Sequence, residues 1–153
     1  VIKPIIMKKI LISILALFIL ISCNKEKKTL KRISGQWNVS SYVFHNSSGG
    51  TTDLLGQNNM VVDFQSCESG NTCNVTTTYS GSLNLVETST YTLSENSGAS
   101  TGFMITIDTL DFAINTLTKS EMTLMNPVGS SQAGGASVQG AGTEMTIISF
   151  DKL

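Results

Sequence analysis

The chain has 153 residues, a formal net charge of −1, and is 41% hydrophobic but only 14% charged. One histidine and three cysteines leave few side chains for metal chemistry or nucleophile–base pairs, and the near-neutral balance lacks the positive footprint that nucleic acid demands. Beyond residue 22 the chain is rich in Thr, Ser, Gly and Asn, a composition suited to strands and turns.

The first element in chain order is a leader. Lys8 and Lys9 precede Ile10 to Ile21, a twelve-residue run that is apolar apart from Ser13. That is the length of a signal-peptide core, short of the roughly 20 apolar residues a spanning helix needs. Leu20-Ile21-Ser22-Cys23 ends it with a small residue and a cysteine. This stretch resembles the lipobox of bacterial lipoproteins. The resemblance implies that Cys23 receives a diacylglyceryl group, that residues 1–22 are removed, and that the new amino terminus is acylated. It also implies a start at Met7, with Val1 to Ile6 as an upstream extension. An ordinary secreted protein and an uncleaved anchor are the alternatives.

Removing residues 1–22 leaves 131, enough for one domain with its own core. Residues 23–33 read as the lipidated cysteine and a basic tether, with Lys25, Lys27, Lys28, Lys31 and Arg32 against Glu26. Such a tether reinforces attachment to an anionic leaflet; a solvated, flexible spacer accounts for the charges equally well. Thr29 to Ser34 has room for a short helical turn. From Ile33 onward Lys119 and Lys152 alone oppose ten acidic residues, so the domain at 34–153 is acidic and no nucleic-acid partner is expected.

The domain reads as alternating strands. Gln36 to His45 puts Trp37, Val39, Ser41 and Val43 on one face and Asn38, Ser40, Tyr42 and Phe44 on the other. Further strands fall at Asn59 to Ser66, Asn74 to Ser80, Ser82 to Leu93, Gly102 to Asp108, Asp111 to Leu117, Glu121 to Met125 and Thr143 to Phe150. Turns are expected near Gly81 and at Thr109-Leu110, and long loops at Asn46 to Asn58 and Asn126 to Gly142. About eight period-2 strands and no convincing amphipathic helix make an all-β sandwich or barrel, and closure would remove exposed edges.

Cys67 and Cys73 flank a turn-like segment in a compartment that permits oxidation, so a disulfide stapling a hairpin end is favoured over free thiols. A metal site would need further soft ligands, and His45 lies 22 positions before Cys67. No catalytic residue, metal or cofactor is assigned. Asp108 and Asp111 flank a turn and read as an Asx-type arrangement rather than as paired carboxylates.

Gly35-Gln36-Trp37 at the head of the first strand resembles the G-x-W of lipocalins, whose tryptophan closes one end of an eight-stranded up-and-down barrel. With the lipobox, the lysine-rich spacer and Leu117-Thr118-Lys119-Ser120-Glu121-Met122-Thr123-Leu124, the chain resembles the lipocalin-like lipoproteins of Bacteroidetes. The resemblance implies a lipocalin-like antiparallel barrel. Trp37, Phe64, Tyr79, Tyr91, Phe103 and Phe112 are the candidates for closing it or lining a cavity. In lipocalins a basic residue near the C terminus packs over the tryptophan, and Lys152 is the nearest candidate by position. The expected partners are a membrane, through the N-terminal lipid, and a small apolar or amphipathic ligand. A filled barrel that docks on an envelope protein is the alternative, and an enzyme has almost no residues to recommend it. Surface-exposed lipoproteins of that group resemble one another in an acidic run after the lipidated cysteine. Asn24-Lys25-Glu26-Lys27-Lys28 is mainly basic instead, so the expected location is the outer membrane, facing the periplasm.

Overall fold

The computed structural model describes residues 25–82, 84–128 and 144–153. The leader, Cys23, Leu83 and residues 129–143 of the second long loop lie outside the described residues.

A helix at residues 25–33 (α1) leads into nine strands: β1 (Gly35–His45), β2 (Thr51–Asp53), β3 (Asn59–Phe64), β4 (Cys73–Ser80), β5 (Leu85–Glu95), β6 (Phe103–Ile107), β7 (Leu110–Leu117), β8 (Glu121–Val128) and β9 (Glu144–Lys152). All pairings are antiparallel. β1 pairs with β3 through Gly35–Asn38 and with β9 along most of its length, so β1 and β3 to β9 close an eight-stranded barrel, with β2 pairing only to the far end of β1. Strand patterning leaves a sandwich or a barrel, and the all-β barrel that the lipocalin resemblance implies is the fold. Closure satisfies the edges that an open sheet would leave unpaired.

Alternation explains the interior. Trp37, Val39, Met60, Val62, Phe64, Val75, Tyr91, Leu93, Phe103, Ile105, Phe112, Ile114, Met122, Leu124, Ile148 and Phe150 form one buried core. Most sit two residues apart on their strands, as one face of a pleat requires. The period breaks once in β1. Val39 pairs with Phe150 but Ser41 pairs with Ser149, so one residue is inserted as a bulge. Beyond it the faces exchange: Tyr42 pairs with inward Ile148 and packs on the core, whereas the uninterrupted pattern had put it opposite Trp37. A single extra residue reverses every later side chain.

Three other expectations shift. Asn46 to Asn58 contains β2, whose hairpin is held by Asn46: its side-chain oxygen accepts from Ser48 N, Ser48 Oγ and Gly50 N at 3.1, 2.8 and 2.7 Å. The β6–β7 turn lies at Asp108-Thr109, since Ile107 pairs with Leu110, and Asp108 takes the left-handed φ of 53° that Asp tolerates. β8 runs on through Val128, into the stretch read as loop.

The largest correction concerns the tether. Residues 25–33 are not a solvated spacer, and the folded unit begins before residue 34. Leu30 and Ile33 belong to the barrel core, and Thr29 is buried beside them. Only these two apolar residues mark a nine-residue helix, too short for its periodicity to stand out among lysines.

Candidate functional site

The two ends of the barrel differ. One end is built from α1, the head of β1, the tail of β9 and the loops β3–β4, β5–β6 and β7–β8. Burying Leu30 and Ile33 there stabilises by about 1.5–3 kcal/mol each, and three carbonyls of the last helical turn have partners. Ser34 N and Oγ donate to Leu30 O at 2.9 and 2.8 Å, and Trp37 Nε1 donates to Ile33 O at 2.6 Å. The Lys152 ammonium donates to Arg32 O at 3.3 Å and to Ser34 O, and lies 4.2 Å from the centroid of the Trp37 ring. A cation there suits both the orphan carbonyls of a helix end and the negative face of an indole. Burial lowers the Lys152 pKa, with the Asp63 charge opposing.

Gly35 owes its place to the same contact. Its φ is +105°, and a Cβ there would stand 3.2 Å from Lys152 Nζ. The Gly-x-Trp spacing thus leaves room for the lysine while the tryptophan, 0% exposed, plugs the barrel.

The Cys67–Cys73 disulfide, with a Cα–Cα separation of 5.7 Å, ties the β3–β4 loop. Glu26 of α1 fastens that loop to the helix, accepting from Ser69 Oγ at 2.5 Å and Gly70 N at 3.2 Å. Next to it the Tyr91 hydroxyl donates to Gln65 O at 2.6 Å. Its ring meets Phe64 edge-on at 5.3 Å between centroids, and burial pushes its pKa up to about 12. Phe64 also contacts Phe150, at 6.5 Å.

At the opposite end the inward positions change character. Cross-strand partners share a face, so Met60–Tyr79–Leu85 and Val62–Thr77–Glu87 continue the inward rows above Phe64–Val75–Ser89. On β1 and β9 the same face carries Tyr42, Phe44 and Thr146, and β8 adds Asn126. Leu85 is 43% exposed and Leu110, the inward partner of Ile107, is 56% exposed. Among the described residues, inward side chains reach solvent at this end, hereafter the mouth. Leu54 and Val86, two more exposed apolar side chains, belong to segments at the same end.

At the mouth, half-buried Tyr79 and exposed Glu87 hydrogen-bond through their side chains. Burial raises the Tyr79 pKa first, and the Glu87 charge, Tyr42 and the hydrogen bond to Glu87 raise it further. The phenol therefore stays neutral as a donor, and Glu87 remains an oriented acceptor with lone pairs to spare. Aromatic and aliphatic walls with a few placed polar groups are what a small amphipathic molecule needs.

Of the six aromatic candidates, Trp37, Phe64, Tyr91, Phe103 and Phe112 sit in the packed core, and only Tyr79 faces the mouth half. Tyr42, Thr77, Glu87 and Ser89 were not singled out from the sequence. Counting back in twos from Tyr91 would have found Ser89 and Glu87, whereas the bulge hides Tyr42. Asp108 and Asp111 do not cooperate: Asp108 Oδ1 accepts from Thr90 N at 3.2 Å and Asp111 Oδ1 from Thr106 Oγ1 at 2.7 Å. These bonds reach across strands instead of forming the expected Asx turn. Among the described residues, no group of three or more His, Cys, Asp or Glu side chains could hold a metal ion.

The cations follow the same division, whereas acids lie at both ends. Every lysine and arginine among the described residues (Lys25, Lys27, Lys28, Lys31, Arg32, Lys119 and Lys152) lies at the closed end. The mouth end carries Asp53, Glu87, Asp108, Asp111 and Glu144, with no cation among the described residues.

No family model and no curated protein match the chain. Among solved structures the chain is similar to the one described as "Structure of EF1p2_mFAP2b bound to DFHBI", with 13% identity, a TM-score of 0.41, and coverage of 84% of this chain and 99% of that one.

Proposed function

We propose that this protein is a lipid-anchored, lipocalin-like lipoprotein that takes a small apolar or amphipathic ligand through the open end of its barrel, without catalysis. Cys23 carries the anchor, and the outer membrane of a Bacteroidetes-type envelope, on its periplasmic side, is the proposed location. The observation that carries the binding reading is the asymmetry of the interior. Trp37, Lys152 and α1 seal one end over a packed core. The inward faces of the other end mix Tyr42, Phe44 and Met60 with Thr77, Ser89 and the Tyr79–Glu87 pair and reach solvent at Leu85 and Leu110.

Titration with the neutral apolar dye N-phenyl-1-naphthylamine tests this. A saturable rise in fluorescence is expected, and Ser89→Trp, which fills the mouth half from a half-buried inward position, should abolish it. A dye response that does not saturate, or that survives Ser89→Trp in the folded variant, overturns ligand binding and favours a filled barrel. Mass spectrometry of lipids extracted from the purified protein then identifies the natural occupant.

A further inference from the structure

We propose that the closed end of the barrel docks on an anionic lipid surface through the outward face of α1, so that the mouth points away from the membrane that anchors the protein. The inference deepens the lipoprotein reading above by fixing the orientation of the anchored barrel.

Helical geometry separates the residues of α1 into two arcs. At 100° per residue, Glu26, Thr29, Leu30 and Ile33 fall on one side, and all four are buried or half-buried against the barrel. Lys25, Lys27, Lys28, Lys31 and Arg32 fall on the other, and all five are exposed. The single acid of the helix does not dilute that face, because Glu26 is turned inward and occupied by Ser69 and Gly70. Lys152 is likewise spent on the helix carbonyls and Trp37, so the outward charge belongs to α1 and, in the neighbouring turn, Lys119. The closed end also carries acids, namely Asp63, whose charge acts on Lys152, with Glu68, Glu95 and the paired Glu121 and Asp151, but all of them sit on elements other than α1.

Two further features agree in direction. Cys23 lies two residues before Lys25, which allows at most about 7 Å of chain between the anchored residue and a helix fixed to the barrel. A lipid on Cys23 therefore brings this end, and not the mouth, to the surface. The mouth carries only acids among its described charged residues, and an anionic leaflet repels it while attracting the five cations. Phosphate-bearing head groups are the matching chemistry, and the polarity of the whole molecule acts as a compass needle. The ligand then enters from the aqueous side.

Energy transfer to a rhodamine head-group acceptor decides the orientation. The full-length protein, processed and purified from cells, is labelled at Thr109→Cys in the mouth turn or at Ser120→Cys in a closed-end turn, both exposed positions. It is then reconstituted in phosphatidylcholine vesicles with or without phosphatidylglycerol. Phosphatidylglycerol should raise transfer from position 120 and lower it from position 109. The difference should vanish in Lys27→Glu/Lys31→Glu and in 1 M salt, where the Debye length is about 3 Å. A ratio indifferent to lipid charge overturns the proposal, as does stronger transfer from position 109.

Failure of the lipoprotein reading is seen separately, as an N-terminal peptide without acyl mass. In that case sedimentation with anionic but not neutral vesicles, lost in the double variant, supports the docking face, and no sedimentation overturns it.

Discussion

Tyr91 shows how a single residue joins the two kinds of force in this barrel. Its ring completes an aromatic cluster with Phe64 while its hydroxyl satisfies Gln65 O beside the disulfide loop. Burial raises its pKa from 10.0 to about 12, so the neutral phenol is the form the fold prefers. The stability this contributes is complete below pH 10.0 and is lost as pH climbs toward about 12. Tyr91→Phe should cost about 1 kcal/mol at neutral pH through the lost hydrogen bond. It should also flatten the alkaline decline, leaving the part due to Tyr79, whose pKa is raised as well. Urea unfolding at neutral and alkaline pH measures both effects; equal alkaline slopes would contradict the assignment. At this scale the sequence was uneven. Gly35-Gln36-Trp37 pointed to the plug and to Lys152 as its partner. Nothing in local pattern said that Glu87 would meet Tyr79, because that pairing depends on the register between β4 and β5.

Among elements, α1 departs furthest from its reading as a tether. Its sequence looks like a spacer because charge outnumbers apolar residues, yet the barrel supplies the hydrophobic partner that a free nine-residue helix lacks. Leu30→Ala or Ile33→Ala should each destabilise by about 2–4 kcal/mol, whereas exposed Lys28→Ala should stay within about 0.5 kcal/mol. Chemical denaturation of the three variants separates a docked plug from a loose tether, which would make all of them neutral. The strands were far more legible. Eight of the nine begin or end within three residues of their expected bounds, since period-2 alternation is a local property of the chain. The exceptions are informative: three-residue β2 is too short to carry a period, and the β1 bulge is an inserted residue that no pattern announces.

For the whole molecule, closure of β1 on β9 creates an inside whose side chains are buried under α1 at one end and reach solvent at Leu85 and Leu110 at the other. Backbone amides of the closed half, around Trp37, Phe64, Leu124 and Phe150, should therefore exchange most slowly. Those of the β4–β5 and β6–β7 turns and the adjoining ends of the mouth strands should exchange faster by orders of magnitude. Hydrogen exchange with mass spectrometry reads this directly, and uniform protection from end to end would mean a barrel filled throughout. The segregation of charge is also a property of the whole. The sequence shows a basic stretch before an acidic domain, but Lys119 and Lys152 are distant in the chain and join the cations of α1 only because their strands begin or end there.

The sequence by itself determined the strand content and the cysteine pair and narrowed the fold to an all-β sandwich or barrel, because each rests on local alternation or spacing; the lipocalin resemblance added the barrel and its tryptophan plug. It also supplied the leader and Cys23 as an expectation about anchoring. Tertiary structure alone decided that the basic segment is a built-in plug, that the bulge turns Tyr42 inward, and that one end is sealed while at the other the inward Leu85 and Leu110 reach solvent. These outcomes depend on which surfaces meet when strands pair across tens of residues, and no local pattern encodes that. Through them the proposed anchor at Cys23, two residues before α1 in the chain, gains a proposed direction.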